Sequence, residues 1–372
     1  MGAKKSMAAS DHTENVPLPT ETRPTSVHVL LTIAVPTYNR AGTVRETLDS
    51  IIGQLHDGVE MVVSDNASTD ATQDIVRQYQ AETHSLSYFR NETNVGADRN
   101  FDLAVRRAQG EYVWLLSDDD KLRPGAIERV LSVLKGRQDL ALVFVNWATY
   151  DAALSRRLTS RALAIPGDVL CRTADEFLQL TRELASYVSS CVVRRDLWIE
   201  LDLSQYDGSN YLQFAARLAL LRGHVAYCLA DPCVLYRGET FRSDTEGLVL
   251  RYNVSLARMV DQLTVLGYTE SSVRRVLCSL VRHLPGTIFN AKITGLSLDC
   301  RLVRDLAAVY GFHPSFWFVS IPRLVVPCWI YKLVWRLYQV PLLRRAYQAL
   351  KTSLRRLCAR LLGHRGQSKW PQ

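Results

Sequence analysis

Apolar positions along this chain follow two rhythms. Runs that are apolar on both faces occur at 29–35, 59–64, 86–89, 112–116 and 140–145. Between them lie stretches of helical period. Val44, Leu48, Ile51, Ile52 and Leu55 share one face, and a second helix follows Asp70 through Tyr79. A third carries Phe101, Leu103, Ala104 and Val105 and stops at Gly110, and a fourth spans 126–134. Strands without a polar face, alternating with amphipathic helices, predict a mostly parallel sheet with helices on both faces. Past Tyr150 the pattern loosens. It predicts a strand at 187–193, a helix at 211–221 ending near Gly223, and a strand at 225–235 broken near Pro232. A polar loop follows at 237–247, then helical spacing over 250–310.

Composition narrows the class. The 372 residues are 47% hydrophobic and 22% charged, which are values of a globular chain and exclude collagen-like or disordered architectures. Eight Cys show no C-x-x-C pair and no metal-ligand spacing, so reduced, buried thiols of a cytosolic protein are expected. Residues 1–26 are polar, contain Pro17, Pro19 and Pro24, and lack the apolar core of a signal peptide. They are expected to form a flexible arm.

The net charge of +8 is unevenly placed. After Asp305 there is no Asp or Glu, while Arg323 to Lys369 include eleven basic residues. The rest keeps 34 of the 45 basic residues against all 37 acidic ones, a net of −3. The body is therefore not a basic nucleic-acid binder, and no nucleic-acid partner is expected.

Candidate chemistry sits where strands end. In an open parallel sheet, ligands bind beyond the carboxyl ends of the strands. Pro36-Thr37-Tyr38-Asn39, Asp65-Asn66 and Ser117-Asp118-Asp119-Asp120 end the first, second and fourth strands and should open on one crevice. Each cluster alone could be an ordinary turn. Asp118, Asp119 and Asp120 repel one another unless a cation is near. Hard oxygen donors suit Mg²⁺ or Mn²⁺, which bridge one or two carboxylates to phosphate oxygens. A divalent ion holding a diphosphate is the physical expectation. No G-x-x-x-x-G-K-[ST] loop or G-x-G-x-x-G turn follows a strand.

Four motifs together carry a resemblance. They are Leu31 to Arg40 (LTIAVPTYNR), Val62 to Asp70 (VVSDNASTD), Asn94-Val95-Gly96 with Arg99-Asn100, and Gly110 to Asp120 (GEYVWLLSDDD). In order and spacing, over about 29 to 135, the chain resembles family 2 glycosyltransferases of GT-A fold. Within that family it looks most like bacterial abequosyltransferase-type enzymes of surface polysaccharide synthesis.

The resemblance implies roles. Pro36, Thr37 and Tyr38 would line the nucleobase pocket, with Asn66 beside them, and Asp65 would accept from a ring N–H of uracil or thymine. Arg99 would lie near the base or the diphosphate. Asp118 would contact ribose and Asp119 the metal, although Ser117 stands where the family usually has the first acid. Asp120 reads as a cap on the helix after Pro124. The donor would be a nucleoside-diphosphate sugar, UDP or dTDP favoured, and the reaction an inverting transfer to a hydroxyl. The family's Glu-Asp pair for the general base is absent. Asp207, before Gly208-Ser209-Asn210, is the first candidate base and Glu239 the second, each also readable as an ordinary loop or cap residue. Arg237 could close over the diphosphate.

The implied organisation is an arm at 1–26 and a GT-A domain at 27–247, split at 150 into nucleotide-sugar and acceptor halves. A helical extension covers 248–312, and a basic amphipathic tail 313–372. The tail mixes Trp317, Trp329, Trp335, Tyr331 and Tyr338 with Arg323, Lys332 and Arg336, and Pro322 and Pro327 break its helix. From Leu343 an apolar helical stripe runs to Leu361 with basic residues on other faces. No stretch of about 20 uncharged residues exists for a span. This pattern reads as lying on an anionic membrane surface, at the cytoplasmic face, where a lipid-linked glycan acceptor would be found. A sugar-phosphate nucleotidyltransferase and a non-catalytic membrane-bound scaffold of the same fold are the alternatives. The first wants a Gly-rich basic loop after the first strand, which Pro36-Thr37-Tyr38-Asn39 does not supply.

Overall fold

The computed structural model describes residues 28–238, 248–294 and 300–339. The expected N-terminal arm, Glu239 and the helical stripe from Leu343 lie outside these residues. The first half alternates as the pattern predicts: β1 (Leu31–Thr37), α1 (Val44–Ile52), β2 (Val59–Asp65), α2 (Thr72–Glu82), β3 (Leu86–Arg90), α3 (Ala97–Arg107) and β4 (Tyr112–Leu115). Next come β5 (Lys121–Leu122), α4 (Ala126–Gly136) and β6 (Leu140–Tyr150). The second half adds β7 (Arg157–Thr159), β8 (Val169–Cys171), α5 (Ala174–Thr181), β9 (Cys191–Arg194), α6 (Arg195–Ile199), α7 (Leu212–Leu220) and β10 (Val225–Arg237). Helices α8 (Leu248–Asp261), α9 (Glu270–Thr294), α10 (Cys300–Tyr310), α11 (Ile321–Val325) and α12 (Cys328–Gln339) complete it.

The strands form one sheet in the order β3-β2-β1-β4-β9-β6-β10-β5, with β7 on β6 and β8 on β10. Strands β1 to β4 pair in parallel, as do β6 and β10. The sheet is nonetheless mixed rather than mostly parallel, because β9 enters antiparallel to both β4 and β6. Strand β9 also starts later than the pattern predicts, and for a local reason. The sequence predicts a strand from Tyr187, but Val188–Ser190 coil into a 3₁₀ turn and β9 begins only at Cys191. The fully buried Arg217 of α7 gathers the carbonyls of Ala185, Tyr187 and Val188 at 2.8, 2.7 and 2.5 Å. Carbonyls satisfied by a guanidinium are withdrawn from strand pairing, and a buried cation is tolerated because acceptors surround it.

Strand β10 is not ended by Pro232. Its register on β6 shifts on either side of that residue, where proline has no N–H to give, and the strand resumes to Arg237. Asn146 of β6 bridges the irregularity, its amide donating to the carbonyls of Leu163 and Ala230 at 2.8 Å each. The sheet core is dry. Leu31, Ile33 and Val35 of β1 and Val113 and Trp114 of β4 have no exposed surface. Chain order runs outward from β1 to β2 and β3, then crosses back to β4, so the sheet's switch point falls between β1 and β4.

Candidate active site

A cavity of about 280 Å³ opens at that switch point, beyond the carboxyl ends of β1, β2 and β4. Pro36, Thr37, Tyr38, Asn66 and Asp118 line it, as do Arg40, Asn94, Asn100, Phe101 and Val188. Five residues singled out in the sequence thus meet in one place. Tyr38 is exposed at the mouth and Thr37 is buried in the wall. The Thr37 hydroxyl is buried beside the Asp118 carboxyl.

The other predicted residues stand elsewhere, and each has a physical reason. Asp65 is fully buried and does not line the cavity. Its oxygens accept from the Ser68 N–H at 2.8 Å and the Tyr88 hydroxyl at 2.7 Å, with Arg90 at 3.8 Å. It braces the turn after β2, and its neighbour Asn66 is the residue that faces the cavity. Asn66 in turn holds the loop before α3. Its amide donates to Asn94 Oδ1 and the Gly96 carbonyl, and its oxygen accepts from the Asn91 side chain and the Val95 N–H. Arg99 is exposed and outside the lining, because α3 turns Asn100 and Phe101 inward instead.

At the acidic strand end the three carboxylates divide. Asp118 accepts from Arg40 Nε at 3.1 Å. Burial pushes its pKa up, to about 6, against the opposing pull of Arg40, with the Asp119 charge adding to the rise. Asp119 is half-buried, and its carboxylate accepts from the Ser117 hydroxyl at 2.7 Å. Asp120 is no helix cap. After it the chain forms β5 on β10, and α4 starts only past Gly125, which takes a left-handed conformation. Asp120 is fully buried and accepts from the Tyr187 hydroxyl, the Ser189 hydroxyl at 2.7 Å and the Arg237 N–H at 3.2 Å. Burial raises its pKa to about 7, and the charge of Asp119 adds to that. Arg237 does not close over the cavity. Its guanidinium donates to the carbonyls of Asp119 and Ala152 and to Glu46, so it holds the strand end from behind.

A Mg²⁺ or Mn²⁺ ion can be tested against these donors. Among the described residues there is no group of three or more His, Cys, Asp or Glu able to hold a metal. The donors that exist are hard carboxylate oxygens: Asp119, half-exposed, with Asp118 close enough to feel its charge. That set suits an ion completed by phosphate oxygens, the usual habit of Mg²⁺, and not a protein-only cage.

Asp207 is exposed in the loop between the 3₁₀ turn Ser204–Tyr206 and α7, where it does not cap the helix. The cap comes from across the structure. Asp98 in the first turn of α3 accepts from the Asn210 N–H at 2.7 Å and the Leu212 N–H at 3.3 Å. Burial raises the Asp98 pKa and the nearby Asp207 charge adds to it, while the backbone donors oppose. This contact joins the cavity wall to the loop bearing the candidate base. Sequence reading passed over Asp98, whose only signal was its place beside the Asn94-Val95-Gly96 motif. Replacing Asp98 with Ala is expected to lower stability by about 1–2 kcal/mol, the worth of a buried cap, as read by denaturant unfolding.

A sequence model described as Glycosyl transferase family 2 matches residues 32–199. Residues 32–199 therefore form a family 2 glycosyltransferase domain on a GT-A-like α/β fold. Over 236 residues it is 28% identical to the abequosyltransferase RfbV of Salmonella typhimurium, covering 60% of this chain and 71% of that one. Over 117 residues it is 33% identical to the GalNAc(5)-diNAcBac-PP-undecaprenol beta-1,3-glucosyltransferase of Campylobacter jejuni, covering 31% of this chain and 37% of that one. The crystal structure of S. aureus TarS 1-349 in complex with UDP-GlcNAc matches with a TM-score of 0.56 at 17% identity, covering 75% of this chain and 80% of that one. At that identity the likeness concerns the fold alone.

Proposed function

We propose that this protein moves a sugar from a nucleoside-diphosphate sugar to a hydroxyl of a lipid-linked glycan, with inversion, in the synthesis of a cell-surface polysaccharide. One observation carries the reading: the cavity at the switch point ends on Asp118, with Asp119 beside it. One relative supports the acceptor class, being named for a diphosphate-undecaprenol-linked glycan. The structural neighbour was solved with UDP-GlcNAc, which fits a UDP or dTDP donor. The nucleotidyltransferase alternative loses its ground with the family 2 match.

Each residue then has a task. Pro36, Tyr38 and Phe101 bound the space for the base, and Asn94, held by the Asn66 amide, supplies its polar edge. Arg40 sits at the mouth with Asp118 and supplies positive charge toward a diphosphate. Asp119, with Asp118, would hold Mg²⁺ or Mn²⁺, which when bound offsets the charge that develops on the departing diphosphate. Asp207, exposed and carried on the Asp98-capped loop, is the group to take the acceptor proton. The enzyme works at the cytoplasmic face of the membrane, where the acidic-residue-free stretch after Asp305 meets anionic lipid.

The test is a screen of UDP- and dTDP-sugars for Mn²⁺-dependent binding by calorimetry, followed by Asp207→Asn. Donor binding within a factor of two of the parent is expected, with transfer reduced about 10²-fold or more. If Asp207→Asn transfers sugar at the parent rate, the base lies elsewhere.

A further inference from the structure

Fourteen large apolar side chains are exposed among the described residues, and eight of them fall between Phe316 and Leu337. Phe318 is 81% exposed and Trp329 65%. Helices this apolar belong in a core or against another phase. They are not core here. The inner side of the segment is already satisfied, since Phe316, Ser320, Leu324 and Tyr331 are buried and Tyr331 and Trp335 pack their rings on Phe289 of α9. Among the described residues, nothing covers Trp317, Phe318, Val325 or Trp329 on the outer side.

The shape of the segment decides what can cover it. No single described helix is long and apolar enough to cross a membrane. Phe316–Val325 and Cys328–Leu337 pass the same criterion only as a pair, bent by 92°. The bend is held, because the Tyr331 hydroxyl on the second limb donates to the Arg323 carbonyl on the first at 3.0 Å. Each limb has ten residues, about 15 Å of helix, half of a hydrocarbon core of about 30 Å. Arg323, Lys332 and Arg336 are exposed on the same segment, and no acidic residue follows Asp305. A second copy of the chain would bring like charges face to face. An anionic lipid surface instead takes the basic groups at its headgroups and the Trp side chains at its interface.

We propose that this bent pair seats its outer face in one leaflet of an anionic bilayer, entering and leaving on the same side. The inference deepens the membrane placement proposed above and rests on it. It does not depend on which sugar or acceptor the enzyme uses.

Full-length protein carrying a C-terminal epitope tag is mixed with vesicles of phosphatidylglycerol and phosphatidylcholine, and with phosphatidylcholine alone. The parent is expected to float with the anionic vesicles. Its Trp fluorescence should be quenched more by lipids brominated near the headgroup than at the chain ends, and external protease should remove the tag. Phe318→Asp combined with Trp329→Asp alters only exposed positions. It should keep the parent melting temperature and sugar-nucleotide binding while vesicle partitioning falls at least tenfold. Three results would overturn the proposal: unchanged partitioning of the variant, a tag shielded from external protease, or a lipid-free dimer that this variant disperses. If no form binds a sugar nucleotide yet partitioning behaves as expected, the functional reading fails while this inference stands.

Discussion

Asp119→Asn is expected to lower sugar transfer by about 10²–10³-fold while leaving the fold intact. Its side chain is half-exposed and accepts a hydrogen bond from the Ser117 hydroxyl, which an amide oxygen can still take. The loss comes from charge. A leaving diphosphate gathers negative charge as its bond to the sugar lengthens, and a divalent ion held by a carboxylate offsets it. Removing the carboxylate should raise the Mn²⁺ concentration needed for half-maximal activity at least tenfold, and chelation of the parent should abolish transfer reversibly. Steady-state rates across a Mn²⁺ titration, with melting temperature as the folding control, measure both. An Asp119→Asn enzyme with parental rate and metal response would remove the acidic strand end from the chemistry.

The second large effect is structural. Asp120→Ala is expected to destabilise the protein by about 3 kcal/mol or more, because the Tyr187 and Ser189 hydroxyls and the Arg237 N–H lose one shared buried acceptor. Asp120→Asn keeps one oxygen and should cost less. The pair also has a pH signature. Burial raises the Asp120 pKa to about 7, above the value of about 3.9 for an unfolded Asp. The native state therefore keeps a proton that the unfolded chain has lost between those values. The associated stability is present at low pH and drains away as pH rises through 7. Urea unfolding from pH 4 to pH 8 should show this decline in the parent and a shallower one in Asp120→Asn. The same slope in both would place the titrating group elsewhere, with Asp118 next to consider since its shift has the same sign.

The sheet's first half was legible because its strands are apolar on both faces and its helices on one, so period alone separates them. Legibility ended where polar groups compete for the backbone. Nothing in the period of Tyr187 to Val193 foretells that Arg217, far along the chain, draws the Tyr187 and Val188 carbonyls out of a strand. The site divides in the same way. Thr37, Tyr38, Asn66 and Asp118 were found because turn-forming polar residues after buried strands collect at one end of the sheet. Asp65 and Arg237 have the same chemistry as residues that touch ligands. Their burial and partners, which a linear sequence does not show, place them outside the lining of the cavity. Asp98 was passed over for the converse reason, since an acid in a helix's first turn is ordinarily local and here reaches the start of a distant helix.

Asn66 holds the loop that leads into α3, and Asp98 at the head of α3 holds the loop that carries Asp207. Filling the cavity and placing the proposed base, Asp207, are thus tied to one strut. An enzyme built this way should follow a compulsory order, with the donor loading first and the acceptor engaging only afterwards. Such an order guards an activated sugar against being squandered on water.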